Sequence, residues 1–235
     1  MGYNGGRRTE EAKNLRIVFV RHGHPDYVND CLTERGRQHA AAAAQRLKGE
    51  GICRIFSSTN GRALETAGFT AAALGLEVEA CDFMREISWG QAPSPWELAD
   101  SRVAAGRSLM DAAWRESDDY GANARLLDSV QQKAEAADAW LASLGYRREG
   151  DYYRVSAQQK TDCTVAAFGH GGESAAIISH IFSLPFPFVC AAMGPNFTGI
   201  TVVELPDRPG ELVTPRFEIM NDARHIASGA ISYGQ

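Results

Sequence analysis

The stretch Val18-Phe19-Val20-Arg21-His22-Gly23-His24 is an apolar run that breaks off in Arg-His-Gly with no polar transition. The run reads as a buried inner strand. A guanidinium and an imidazole at its carboxyl end are costly unless they are paired or serve a ligand. Open α/β sheets bind their ligands at those strand ends. Far downstream the arrangement recurs, because Val165-Ala166-Ala167-Phe168-Gly169-His170-Gly171-Gly172 is again an apolar run and ends in Gly-His-Gly. Two strand-end histidines, each beside glycine, point to one polar site approached closely by backbone on two sides.

Working outward, Leu15 to Val20 is the first strand, and a helix is expected from Thr33 to Lys48, capped by Thr33 and closed by Gly49-Glu50-Gly51. Ile52 to Phe56 reads as a short strand. Ser57-Ser58-Thr59-Asn60 then supplies cap candidates for a helix over Gly61 to Leu74. Glu77 to Ala80 is a third strand. Such alternation of short strands with helices signals a layered α/β fold with a mostly parallel sheet. The pattern breaks over Ser88 to Tyr120, which holds Trp89, Pro93, Pro95, Trp96 and Trp114 and one modest helix around Trp96 to Asp111. An aromatic-rich insertion of this kind reads as a lid or wall over a site. Beyond it come a long amphipathic helix from Asn123 to Leu144 and a polar hairpin or loop from Gly145 to Asp162. Thr164 to Phe168 is the next strand and Glu173 to Phe182 the next helix, and strands near Gly199 to Glu204 and Glu211 to Ile219 close the chain.

The 235 residues fit one large domain over 15–235 with an inserted segment at about 88–120, preceded by a loose, glycine-rich tail over residues 1–14. The apolar share of 44% predicts a substantial core. A formal net charge of −5 gives no long-range attraction for nucleic acid, and no apolar stretch approaches a bilayer span. Cys31, Cys53, Cys81, Cys163 and Cys190 are odd in number and widely scattered. With no metal-like spacing among them they read as reduced and mostly buried, which favours the cytoplasm.

At the first site, His22 has the chemistry of a nucleophile, a base, a metal ligand or a packed polar group. Arg21 is adjacent, and Gly23 removes the side chain that would block access. Arg62, in Ser57-Ser58-Thr59-Asn60-Gly61-Arg62-Ala63, falls in the first turn of a helix, whose donor-rich start suits anions. Taken alone it is an ordinary surface residue; above the same sheet edge it joins the site. Two guanidinium groups, two imidazoles and glycine-supplied N–H groups have a phosphoryl group as their best common ligand.

In order along the chain, Arg21-His22-Gly23, the Ser-Ser…Arg62-Ala-x-x-Thr-Ala stretch, Met84-Arg85-Glu86 and Gly169-His170-Gly171-Gly172 resemble the histidine phosphatase superfamily, the phosphoglycerate mutase-like proteins. The resemblance runs from Arg16 to about Val203. It implies a three-layer α/β/α sandwich around a mainly parallel sheet with an antiparallel edge strand. It also implies that His22 is the nucleophile that becomes a phosphohistidine and that Arg21, Arg62 and His170 complete the phosphate pocket, with Gly171 at its edge. His170, if protonated, would hold phosphoryl oxygens. Glu86 matches the proton donor; without the family it would read as a surface carboxylate paired with Arg85. His24 stands where many members carry Glu or Gln, so it either touches phosphate or supports those that do. Glu173 is expected to cap or open its helix and His180 to be structural or exposed.

What accepts the phosphate separates phosphatases from mutases. Mutases follow Arg-His-Gly with a pattern of Asn, Phe and Gly-Trp that His24-Pro25-Asp26-Tyr27-Val28-Asn29-Asp30 lacks. The expectation is therefore a phosphatase of a small phosphorylated metabolite that needs no metal or organic cofactor. Phosphoglycerate mutase-type transfer and a non-catalytic phospho-ligand sensor remain as alternatives. Arg102, Arg107 and Arg115 in the insertion are candidate contacts to a second anionic group, or else lie on a solvated face. His22-x-His24 also resembles the metal-binding pair of amidohydrolases, but that architecture needs a longer, eight-stranded barrel, and Arg21 would repel a dication. The sequence leaves a homodimer open and does not assign the segment Asn221 to Ser228 to the pocket.

Overall fold

A computed structural model describes residues 14–158 and 163–226. The chain runs β1 (Leu15–Arg21), β2 (Pro25–Asp26), β3 (Cys31–Leu32), α1 (Glu34–Leu47), β4 (Ile52–Ser58), α2 (Gly61–Leu74) and β5 (Val78–Cys81). The insertion follows with α3 (Pro95–Ala104), then α4 (Ala124–Ser143), β6 (Tyr146–Glu149) and β7 (Tyr152–Val155). Next come β8 (Thr164–Gly169), α5 (Gly171–Ile181), α6 (Phe186–Ala192), β9 (Ile200–Leu205), β10 (Leu212–Val213) and β11 (Arg216–Asp222).

Among the described residues the main sheet has six strands in the order β11-β9-β1-β8-β4-β5. Strands β1, β8, β4 and β5 are mutually parallel. The antiparallel strand expected at the edge is β9, and it sits one place in because β11 pairs outside it. Both faces of the inner strands are covered. Val18 and Val20 pack with Ala67, Ala71 and Phe168 under α1 and α2. Ile17 and Phe19 pack with Trp140, Leu141, Ile177 and Ile181 under α4 and α5. The alternation along β1 therefore divides apolar against apolar, as a doubly covered parallel strand requires. Thr33 caps α1 as its residue type predicts, its hydroxyl accepting the Gly36 N–H at 3.1 Å. Helix α2 spans Gly61 to Leu74 and ends on Gly75 in the left-handed conformation.

Several expectations change. The polar segment after α4 is a hairpin, β6–β7, and β10 joins it as a third strand, so the closing strand expected over Glu211 to Ile219 divides between two sheets. The insertion helix stops at Ala104, and α6 had no capping or periodic signal to reveal it. Cys53 and Cys163 form a disulfide with Cα atoms 5.9 Å apart, and Cys31 and Cys81 are half-buried rather than buried. The cysteines thus no longer argue for a reducing compartment. Sequence spacing could not show this pair, because β4 and β8 become neighbours only in the folded sheet. Residues 1–13 of the expected tail lie outside the described residues; Asn14 is anchored, its amide donating to Glu204 and accepting the Asp207 N–H. Among the described residues no helix is long and apolar enough to cross a membrane.

The insertion packs on the outer side of α5, where Leu98, Trp114, Tyr120, Ala176, Phe186 and Val189 form one apolar cluster. Arg102 holds it together. Its side chain is 2% exposed and meets Asp119 through Nε at 2.9 Å and Nη2 at 3.1 Å. Arg107 joins the same carboxylate at 2.7 Å. Both arginines are paired, Arg102 in the interior and Arg107 on the exposed side of Asp119. Removing one partner of such a pair strands the other's charge in the interior. Arg102→Met is expected to lower the free energy of unfolding in urea by about 3 kcal/mol with an unchanged denaturant slope.

Candidate active site

The two strand-end histidines are brought together by register. Strands β1 and β8 pair in parallel with Arg21 opposite Gly169, and the His22 N–H donates to the Gly169 carbonyl at 2.9 Å. The rings of His22 and His170 then lie 5.1 Å apart, edge to face. Gly23 is demanded by the close approach of α1, since a Cβ there would come within 2.6 Å of the Gly36 carbonyl oxygen. Its N–H is held by the Thr66 hydroxyl at 3.0 Å, which ties the turn after β1 to α2.

His22 is 1% exposed. Burial, and then the charge of Arg21, depress its imidazole to a pKa of about 3, so the ring is neutral. Nδ1 lies 2.7 Å from the Gly23 carbonyl, an acceptor only, so Nδ1 must carry the proton. Nε2 is left with its lone pair, and no hydrogen bond to a described residue occupies it.

Both arginines converge on this ring. Arg21 donates from Nη1 to the Pro195 carbonyl at 2.9 Å, and its guanidinium lies 4.2 Å from the Phe197 ring centre. Burial lowers its pKa, while Tyr27 and Glu86 pull it back. Arg62, expected at the surface if it stood alone, is 9% exposed. Its Nη1 meets the carboxylate of Asp30, and its Nη2 donates to Nδ1 of His170 at 3.0 Å. With Nδ1 accepting, Nε2 of His170 carries the proton and donates to the Ser58 hydroxyl at 2.8 Å. His170 is held far below the usual imidazole range, by burial and then by His22, Arg62 and Arg21. It is therefore a neutral donor in this structure, not the protonated ring that the sequence left conditional. The Nε atoms of Arg21 and Arg62 are buried and have no hydrogen-bond partner among the described residues. Unpaired buried guanidinium donors are rare in a packed interior, and here two of them flank one imidazole.

Glu86 is half-buried at the start of the segment leading into the insertion. Its Oε1 accepts the N–H groups of Ile87 at 3.0 Å and Glu173 at 2.7 Å, and Oε2 that of Gly172 at 3.4 Å. Burial pushes its carboxyl up, against the pull of these backbone donors and of Arg21. It does not pair with Arg85. His24 stands aside, with Nδ1 on the Thr33 hydroxyl at 3.0 Å and its ring 5.5 Å from Phe197. Gly171 lies where a side chain would meet Trp96 at 3.4 Å and Arg21 at 3.6 Å. Tyr27, Phe197 and Trp96 thus supply aromatic surface beside the polar centre.

Asp30, Tyr27 and Phe197 have no local sequence signal, whereas Ser58 belongs to the Ser-Ser…Arg62 stretch. Asp30 caps α2 from thirty-one residues away, its Oδ2 accepting the Gly61 N–H at 2.8 Å, whereas Asn60, the cap by position, makes no side-chain cap bond. Asn221 also borders the site, its Oδ1 accepting the Asn196 N–H at 2.8 Å beside the Pro195 carbonyl that holds Arg21. Arg115 lies elsewhere, lining a cavity with Ser179 and His180 at the far end of α5. Among the described residues no group of three or more His, Cys, Asp or Glu side chains is placed to hold a metal ion, and the open sheet is not the barrel an amidohydrolase needs.

Comparison with known proteins agrees with this architecture. The glucosyl-3-phosphoglycerate phosphatase of Mycobacterium tuberculosis is 25% identical over 232 residues, covering 92% of this chain and 98% of that protein. The probable phosphoglycerate mutase GpmB of Proteus mirabilis is 30% identical over 112 residues, 44% of this chain, so the match spans about half (49%) of that relative. Among solved structures, a native mycobacterial glucosyl-3-phosphoglycerate phosphatase aligns with a TM-score of 0.62 at 24% identity, over 88% of this chain and 98% of its own. A phosphoserine phosphatase from Entamoeba histolytica in complex with 3-phosphoglyceric acid aligns with a TM-score of 0.61 at 22% identity, over 90% and 98%. The family model of the histidine phosphatase superfamily (branch 1) matches residues 17–216. The chain is a member of the histidine phosphatase superfamily.

Proposed function

We propose that this protein is a phosphatase of a small phosphorylated metabolite, acting through a phosphohistidine on His22. The observation that carries the proposal is a neutral, buried imidazole with a free Nε2, flanked by two guanidinium groups whose Nε donors are unpaired. A nucleophilic imidazole needs its lone pair exposed and its tautomer fixed, and the Gly23 carbonyl does the fixing. Arg21 and Arg62 then hold the phosphoryl oxygens, where charge resides during transfer, and His170, held between Arg62 and Ser58, lines the pocket beside them.

In the first step Nε2 of His22 bonds to phosphorus as the ester P–O bond breaks, and Glu86 gives its proton to the departing alkoxide. In the second, Glu86 takes a proton from water, the water oxygen bonds to phosphorus, and the P–N bond breaks. Inorganic phosphate leaves and both residues return to their starting states. A carboxyl raised by burial suits the alternation between acid and base.

Phosphatase is favoured over mutase because the arginines of the insertion do not serve a second anionic group. Arg102 and Arg107 are bound to Asp119, and Arg115 faces the far end of α5. The relative that matches over nearly its whole length is named a phosphatase, which supports the same choice.

Phosphate release from a panel of phosphorylated metabolites, 3-phosphoglycerate included, tests the assignment. Release is expected to persist in EDTA, to vanish in His22→Ala, and to fall about 100-fold in kcat in Glu86→Gln. Isomerised phosphoglycerate without free phosphate would mean a mutase instead, and binding without turnover a sensor.

The neutrality of His22 also affects folding. Its folded pKa lies below the unfolded value, so between about pH 6.5 and about 3 the unfolded chain binds a proton that the folded chain refuses. Stability is expected to rise with pH across that window, His22 contributing about 1.4 kcal/mol per pH unit. Urea denaturation at a series of pH values should show a shallower slope in His22→Asn.

A further inference from the structure

The chemistry above uses one carboxyl, Glu86, and leaves a second, the buried Glu173, without a task. Glu173 stands in the first turn of α5 and is 2% exposed. Its Oε2 accepts the backbone N–H of His170 at 3.0 Å and the Ser174 hydroxyl at 3.0 Å. Its own backbone N–H donates to Oε1 of Glu86 at 2.7 Å. One residue thus grips the main chain of the phosphate-pocket histidine with its side chain and the proposed proton donor with its backbone. There is no slack around the carboxyl, for a Cβ on Gly169 would fall 2.2 Å from Oε2.

The charged and titratable groups that act on this carboxyl come from several elements. Lys133 approaches from α4; burial lowers its ammonium, while Glu173 and Glu86 pull it back up. Glu86 lies on the segment after β5, and His170 immediately precedes α5. Arg85 acts on Lys133, and the buried Cys190 thiol of α6, raised chiefly by burial, also feels Glu86.

We propose that Glu173 is a positioning residue for the phosphoryl site, fixing the backbone that carries His170 and governing Glu86 through its own N–H and its charge. The proposal rests on the roles given above to His170 and Glu86. Burial, and then the neighbouring Glu86, raise the Glu173 carboxyl to a pKa of about 8, against the bonds from His170 and Ser174 and the charge of Lys133. At neutral pH it therefore holds the His170 N–H without setting a second negative charge beside a phosphate dianion. When it ionises, that charge repels the phosphoryl group and tightens the hold of Glu86 on the proton it must release.

The test follows two readouts across the neutral and alkaline range on the full chain. One is the hydrolysis of p-nitrophenyl phosphate, with kcat and KM separated. The other is calorimetric binding of tungstate, a tetrahedral dianion whose charge stays constant there. For the wild type, kcat/KM is expected to fall about tenfold per pH unit above about pH 8, with tungstate weakening in parallel. Glu173→Gln keeps a carbonyl oxygen for the His170 N–H but cannot ionise. It should retain hydrolysis and tungstate binding and lose the alkaline fall in both readouts. Lys133→Met removes the cation that favours the ionised form and should move the fall to higher pH. Glu173→Ala, which loses the anchor, should lower kcat at every pH. A Glu173→Gln profile that superimposes on the wild type in both readouts overturns the proposal. A wild type that binds tungstate yet hydrolyses no phosphate ester overturns the phosphatase reading instead, and the tungstate curves still decide the case of Glu173.

Discussion

The parallel register between β1 and β8 is the constraint on which the site depends. With Arg21 opposite Gly169, the chain leaves both strands at one level in the middle of the sheet, and His22 and His170 emerge side by side. The register is fixed by packing on both faces. Slipping either strand by one residue would exchange its two sets of side chains between α1–α2 and α4–α5. Strand β9 closes the other side of β1, and the turn before it bonds the Arg21 carbonyl through the Thr198 N–H at 3.0 Å.

Burial at that point sets the chemistry. An imidazole removed from water beside two cations cannot hold a proton, so both histidines are neutral and their tautomers are chosen by the fixed partners of Nδ1. The carboxyls respond in the opposite sense. Glu86 and Glu173 are both pushed up, and the N–H groups at the start of α5 hold one of them in place. Asp30, bound to Arg62 and capping α2, carries a chain of bonds through Arg62 and His170 to Ser58. A neutral imidazole, guanidinium Nε donors without partners and protonatable carboxyls are thus consequences of one desolvated location.

The insertion packs alongside this location, outside the sheet. Arg102 and Arg107 are spent on Asp119, which anchors the insertion against the outer face of α5 through its aromatic cluster. Trp96 is thereby brought beside Gly171 and Arg21, so one rim of the site belongs to a segment that has no place in the sheet.

Local chemistry was legible in the sequence wherever a few neighbouring residues decide the outcome. Strand β1, the Thr33 cap, the span of α2 with its glycine stop, and both histidines at strand ends follow from apolar runs, capping residue types and glycine placement. The superfamily followed from four motifs in order. Contacts between residues far apart in the chain belong to the tertiary structure alone. The Cys53–Cys163 bridge, Asp30 as the cap of α2, the burial of Arg102 and the grip of Glu173 on His170 and Glu86 were not visible in any window of sequence. The physical reason is the same in each case. Propensity and periodicity act over a turn or a strand, whereas charge state, hydrogen-bond partner and burial are set by whichever distant element the packed sheet brings alongside.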